Sequence, residues 1–257
     1  MDEIPNVLAC DVGNSAVHFA HVKGDDVTDV HVVRVGELSR LGAELAELWA
    51  EIPAPRKLVA ASVNPAALKA LEAAVGEALG EDVLVVGRDL PLPIETDVAD
   101  PTSVGVDRLC SAVAAYDRLG AACVVADFGT AVTVDCIDDR GAFLGGAILP
   151  GLGMSAECLE EKTAQLPHVR IRQPDWVFGK DTDQAIIGGI VAGARGALRE
   201  LVEAYATELG QWPIVILTGA DAGIVCERPG TGELVQAVVP DLAVRGVALA
   251  YYNSLLK

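Results

Sequence analysis

Short apolar runs separated by acidic or glycine-bearing turns open the chain. Val7–Cys10 is apolar, Asp11-Val12-Gly13-Asn14 interrupts it, and a second run extends from Ala16 to Val22. This pattern predicts a strand, a tight turn and another strand. Lys23-Gly24-Asp25-Asp26 predicts a second turn, leading into a third strand over Val27–Val35. The period then changes. Leu38, Leu41, Leu45, Leu48, Trp49 and Ile52 recur at three- and four-residue spacing, the signature of an amphipathic helix. Lys57–Ala61 reads as a short strand, and Asn64-Pro65 as a helix start, with Asn as the cap and Pro at the first helical position. That helix runs to about Leu79, and Val83–Val86 predicts another strand. Pro91, Pro93 and Pro101 mark residues 88–105 as an extended loop, and a helix follows from Val106 to about Leu119.

The chain then starts again. Ala122–Ala126 is apolar, Asp127-Phe128-Gly129-Thr130 turns, Val132–Ile137 is a second run, and Asp139-Arg140-Gly141 turns into a third strand over Ala142–Leu149. With Asp11 set over Asp127 the opening pattern recurs, which predicts an internal duplication of α/β units, each opening with three antiparallel strands. The boundary falls near 118–121, giving units 1–119 and 120–257. Helices near 152–163 and 182–209, a strand over Pro213–Leu217 ending in Thr218-Gly219, and a closing helix over Asp241–Leu256 complete the second unit.

Composition narrows the class. Half of the 257 residues are apolar (51%) and mean hydropathy is +0.37, so a folded core is expected rather than disorder. The formal charge of −18 repels nucleic acid and anionic lipid, so neither is an expected partner. A polyanion such as ATP would have to be held by main-chain N–H groups and a metal ion. Cys10, Cys110, Cys123, Cys136, Cys158 and Cys226 form no CxxC pair and have no His at zinc spacing. They read as buried thiols in a reducing compartment. Met1-Asp2-Glu3-Ile4-Pro5 lacks the charged and apolar regions of a leader peptide, and no apolar run is long enough to span a bilayer. A cytoplasmic protein is expected.

The two Asp-x-Gly turns carry the candidate chemistry. Glycine lets a backbone approach a ligand closely and supplies unusual dihedrals. Asn14, Ser15 and Thr130 add short polar side chains beside exposed N–H groups, an arrangement that can cradle phosphate oxygens. Asp11 and Asp127 would repel phosphate, so a cation is expected between carboxylate and phosphate. Other phosphate motifs are weak. Gly179-Lys180-Asp181-Thr182 lacks the leading glycine loop of a P-loop, and Gly151-Leu152-Gly153 has no acidic partner at dinucleotide-binding distance. Gly105-Val106-Asp107-Arg108 opens a helix whose positive end favours a carboxylate. Asp107 could accept a proton from a substrate hydroxyl, and Arg108 could pair with a substrate anion. Gly145-Gly146 and Pro150-Gly151 flank a strand end and could admit a nucleotide base.

Taken together, these segments resemble the type III pantothenate kinases, a family of the actin-like ATPase superfamily that also holds acetate and sugar kinases. The resemblance runs through Asp11-Val12-Gly13-Asn14-Ser15, Gly105 to Arg108, Asp127-Phe128-Gly129-Thr130-Ala131 with Thr133 and Asp135, Gly145 to Gly151, Thr163-Ala164-Gln165-Leu166-Pro167, Gly179 to Thr182, and Thr218-Gly219. It implies an α/β fold of two duplicated ribonuclease H-like (actin-like ATPase) domains, with mixed sheets flanked by helices. It implies ATP-dependent phosphorylation of pantothenate to 4′-phosphopantothenate, the first step of coenzyme A biosynthesis, by a cytoplasmic homodimer with substrate sites near the subunit interface. By the same resemblance Asp11, Val12, Gly13, Asn14, Ser15, Ala16, Val17 and His18 would bind ATP phosphates, with Asp11 near Mg2+. Gly129 and Thr130 would also contact ATP. Asp107 would be the general base, and Gly105, Val106, Asp107, Arg108, Val98 and Thr182 would line the pantothenate site. Asp127 would hold a monovalent cation, K+ or NH4+.

Several positions depart from the family pattern. Ser15 replaces threonine, Val98 stands where tyrosine is frequent, Ala220 replaces the second glycine of Thr-Gly-Gly, and Ala243-Val244-Arg245 departs from an apolar, glycine-containing ending. Two alternatives stay open here: an actin-like kinase for another small hydroxy compound, and a non-catalytic regulatory relative that binds nucleotide without turnover.

Overall fold

The computed structural model describes residues 4–226 and 234–256. Met1-Asp2-Glu3, part of the stretch read for a leader, lies outside them. The chain divides into two compact units: Met1–Glu95, Ala99–Arg118 and Asp241–Lys257 in the first, Thr96–Val98 and Leu119–Pro240 in the second. The closing helix, placed with the second half by the sequence reading, therefore packs in the first unit.

The first unit holds β1 (Asn6–Val12), β2 (Ala16–Lys23), β3 (Asp26–Arg34), α1 (Leu41–Glu51), β4 (Arg56–Ser62), α2 (Pro65–Leu79), β5 (Leu84–Val85), α3 (Val106–Leu119, whose last residue falls in the second unit) and α7 (Leu242–Ser254). The second holds β6 (Cys123–Phe128), β7 (Ala131–Ile137), β8 (Phe143–Pro150), α4 (Leu152–Lys162), α5 (Thr182–Leu209), β9 (Ile214–Thr218), α6 (Ala222–Cys226) and β10 (Ala237–Val238). Strand order in the first sheet is β3-β2-β1-β4-β5, and in the second, read from the corresponding edge, β8-β7-β6-β9-β10. The pairing senses match as well. β1 is antiparallel to β2 and parallel to β4; β6 is antiparallel to β7 and parallel to β9. Both sheets are mixed and topologically equivalent.

The central strands read as unbroken apolar runs because helices cover both faces of their sheet. Leu8, Cys10 and Val12 face Leu45 of α1 and Leu71 and Val75 of α2. Val7 and Ala9, one residue out of phase, face Cys110 of α3 and Val247 of α7. In the second unit Val124, Ala126 and Phe128 pack with Leu198 and Val202 of α5.

Local signals set the helix ends. Asn64 Oδ1 accepts from the Ala67 N–H at 3.1 Å, with Pro65 at the first helical position, and Asp181 caps α5 by accepting from Gln184 N–H at 2.8 Å. Leu38, expected in the first helix, lies instead in a 3-10 turn over Val35–Arg40, which Glu37 interrupts with a non-helical backbone. Cys10, Cys110, Cys123 and Cys136 are buried free thiols as expected, but Cys158 is exposed and Cys226 half-buried. Burial pushes the Cys136 thiol up to about 11 and that of Cys123 up to about 12. No helix among the described residues is long and apolar enough to cross a membrane.

Candidate active site

The candidate residues fall into two groups, one in each unit. In the first, Asp11 is the penultimate residue of β1, in register with His18 on β2 and Ala61 on β4. The Gly13 N–H donates to Ala16 O at 2.9 Å and closes the turn, leaving Asn14 and Ser15 exposed at its tip. Val12 and Val17 are fully buried, so they frame the turn and offer no side chain to a ligand. Ala16 and His18 are half-buried. Burial pushes the His18 imidazole below its ordinary value, against a weaker opposing pull from the Asp241 charge.

The Gly105-Val106-Asp107-Arg108 segment lies against the same corner. Asp107 sits in the first turn of α3, where its Oδ1 accepts from the Arg108 N–H at 2.8 Å. A Cβ on Gly105 would come 2.5 Å from that Oδ1 and 3.5 Å from Val63, so a larger residue there would push on the Asp107 carboxylate. Val63 in turn donates its N–H to Val12 O at 3.1 Å. The Cys110 thiol, one turn along α3 from Asp107, is pushed well up by burial and further by the charges of both Asp11 and Asp107. The two carboxylates therefore stand close enough to act on one buried atom. Asn64, assigned from the sequence only as a cap, also places its Nδ2 3.5 Å from Gly13 O. It lies just past the carboxyl end of β4, which pairs with β1, the place where ligands bind in open α/β sheets. No sequence signal marked that pairing.

The second group repeats this plan. Asp127 is the penultimate residue of β6, in register with Thr133 on β7 and Thr218 on β9. The Gly129 N–H donates to Ala131 O at 3.1 Å, with Thr130 exposed beside it. Gly13 and Gly129 both keep ordinary backbone angles, so the unusual dihedral expected of them is absent. Their contribution is space: a Cβ would meet Ala16 O at 3.2 Å in the first turn and Asp127 Oδ1 at 3.4 Å in the second. Gly219 does have a left-handed φ of 91° and lies directly on the Asp127 carboxylate and the Phe128 carbonyl. Gly151 lies as closely on the Gly129 and Thr130 carbonyls. Asp221, which sequence reasoning passed over, donates its N–H to Phe128 O at 3.0 Å, and burial raises its carboxyl.

Gly145-Gly146, expected to admit a base, lie within β8, where Gly146 is closely packed. Gly146 is in register with Asp135, a carboxylate only 2% exposed, whose Oδ1 fills the place a Cβ would take. Val98 belongs to the second unit, with its Cγ1 3.6 Å from the Cβ position of Gly145. Thr182 is exposed at the start of α5, next to its cap Asp181. Among the described residues no three His, Cys, Asp or Glu side chains gather to hold a metal unaided.

Comparison with known proteins gives these groups a context. The profile of the type III pantothenate kinases matches residues 7–204. A type III pantothenate kinase of Dehalococcoides mccartyi is 32% identical over 95% of this chain and 96% of its own length. One from Zymomonas mobilis is 33% identical over 95% and 92%. Among solved structures, a conserved Baf family protein of Campylobacter jejuni covers 98% of this chain and all of its own (100%), with a TM-score of 0.59 at 18% identity. The ethanolamine utilization protein EutJ of Carboxydothermus hydrogenoformans covers 95% and 89%, with a TM-score of 0.52 at 13% identity. At such identity the structural likeness speaks for the fold alone, and that fold is the duplicated actin-like ATPase type expected from the sequence. Identity sustained along nearly the whole of both relatives goes further. This chain belongs to the type III pantothenate kinase family.

Proposed function

We propose that the chain transfers the terminal phosphoryl group of ATP to the hydroxyl of pantothenate, giving 4′-phosphopantothenate for coenzyme A biosynthesis. The observation that carries this reading is the seat of Asp107 beside the Asp11 turn: Gly105 lies against Val63, which donates its N–H to Val12 O at 3.1 Å. Asp107 takes the proton of the attacking hydroxyl as its oxygen bonds to phosphorus and the bond to ADP breaks. Main-chain N–H groups at the exposed Asn14-Ser15 tip receive phosphate oxygens. Arg108 orients pantothenate.

The residues present fit the expected cations. Mg2+ is commonly held by one or two carboxylates together with substrate phosphates, which suits a lone Asp11 beside a phosphate-binding turn. Asp127, with the neighbouring Phe128 carbonyl, offers the all-oxygen surroundings that K+ or NH4+ takes. Such ions neutralise charge on the transferring group. The protein acts in the cytoplasm as a homodimer. Support for the dimer comes from an open apolar cavity of about 360 Å³ on the second unit, lined by Val132, Leu149 and Pro150 and by Ala185, Gly189 and Gly193 of α5.

A coupled assay for ADP release, with and without K+, tests the reading. Pantothenate should support turnover. Turnover only with another hydroxy compound, the outcome Val98 would favour, or nucleotide binding with none, would overturn it.

A further inference from the structure

We infer that Gly246 of α7 is a positioning residue for phosphoryl transfer, setting the seat of Asp107 through direct contact between α7 and the main chain of α3. The inference rests on Asp107 being the base. Gly246 is buried, and a Cβ on it would overlap the Cys110 carbonyl group and lie 2.6 Å from Cys110 Cα. The neighbour is backbone, so no rotamer change relieves the overlap. Cys110 follows Asp107 by one helical turn and is the atom group that senses both Asp11 and Asp107. Any retreat of α3 at Cys110 therefore carries Asp107 with it.

The other side of α7 has little freedom. It packs along β1, β2 and β4, and Val244, Val247, Ala248 and Ala250 share one buried cluster with Cys110, Val7 and Ala9. Its far end is tied by the Tyr252 hydroxyl, which donates to Val22 O at 3.0 Å and accepts from Gly24 N–H at 3.3 Å. Arg245 Nη1 donates to Asp25 O at its near end. β1, on which α7 rests, carries Asp11. A helix clamped to the strand of one carboxylate and touching the backbone that bears the other fixes their separation. Glycine permits that contact, and this gives a function to the carboxy-terminal segment that no phosphate or substrate motif claims.

An added methyl group at Gly246 would displace α3 by roughly 1 Å, a misplacement that can cost about 10²-fold in rate. For Gly246→Ala, kcat should fall about 10²-fold while KM for ATP stays within about threefold; KM for pantothenate should rise as well, because Arg108 moves with Asp107. Ala250→Val, one turn further along the same buried cluster, is a gentler displacement and should lower kcat about 10-fold. It carries the test alone should Gly246→Ala not fold. Val75→Ala, on α2 across the sheet, serves as a control for general destabilisation and should leave kcat of the folded enzyme unchanged. Wild-type kcat in the folded variants, or a loss matching only the unfolded fraction and shared by Val75→Ala, would overturn the inference. Asp107→Asn is assayed alongside. If it retains wild-type kcat, the base assignment has failed; if it is inactive while Gly246→Ala is normal, only the positioning role has.

Discussion

Gly219→Ala is the substitution whose cost can be worked most directly from the structure. Two penalties combine. The residue has a φ of 91°, where an L side chain costs about 1–2 kcal/mol. The new Cβ would also overlap Asp127 Oδ1 and stand 2.6 Å from the Phe128 carbonyl. Forcing a methyl into such a closed space costs about 1–3 kcal/mol more, since one neighbour is backbone in the central strand. The total is about 2–5 kcal/mol, a fall in Tm of roughly 4–20 °C at this chain length. Gly76→Ala provides the contrast: Gly76 lies within α2, with an ordinary φ and nothing within 4 Å of its Cβ position. That exchange should stabilise by about 0.5–1 kcal/mol. Urea unfolding of both variants measures the difference. Because the overlap falls on Asp127, Gly219→Ala should also raise the K+ concentration needed for half-maximal activity. A Gly219→Ala protein as stable as Gly76→Ala, with an unchanged K+ response, would refute the argument.

Three further outcomes are expected. Asp107→Asn should lower kcat by roughly 10²–10⁴-fold with ATP binding retained by calorimetry, and near-normal turnover would remove it as the base. Asp127→Ala should abolish most of the K+ activation seen in the ADP-release assay; an unaltered response rejects the cation role. His18 is held below its ordinary value of 6.5 in the folded protein, so below that pH the unfolded chain takes up the proton more readily. Stability should therefore fall as pH drops from 7 towards 5, and His18→Gln should flatten that dependence in urea midpoints.

The architecture was legible wherever one physical signal dominated. Asn64-Pro65 named the start of α2, and the limits of α3 and α5 followed from proline, capping and period. Parallel pairing was not legible. β4 and β9 look like other short apolar strands, and only the sheet reveals that each lies beside the strand bearing the key aspartate. The return of α7 to the first unit was hidden for a related reason. Its apolar face suits either sheet, and the contacts that seat it on the first, Gly246 against Cys110 among them, join residues far apart in sequence.

The glycines show where the reading of the site succeeded and where it stopped. Sequence pattern found these positions but gave reasons, close approach to a ligand and unusual dihedrals at the turns and room for a base at Gly145-Gly146, that do not name the side chain each glycine meets. The structure separates the reasons. Gly105 gives room to the Asp107 carboxylate folded over it, and Gly146 lies equally close to the Asp135 carboxylate and the Val134 carbonyl. Gly219 alone among these combines a left-handed φ with contact to an aspartate. In each case a small residue is the counterpart of a particular carboxylate, so glycine and acid are one feature rather than two motifs. A pairing of this kind depends on side-chain direction, which the order of residues does not state. It follows that exchanging any of these glycines should disturb its aspartate, in addition to any cost from backbone conformation or a neighbouring carbonyl.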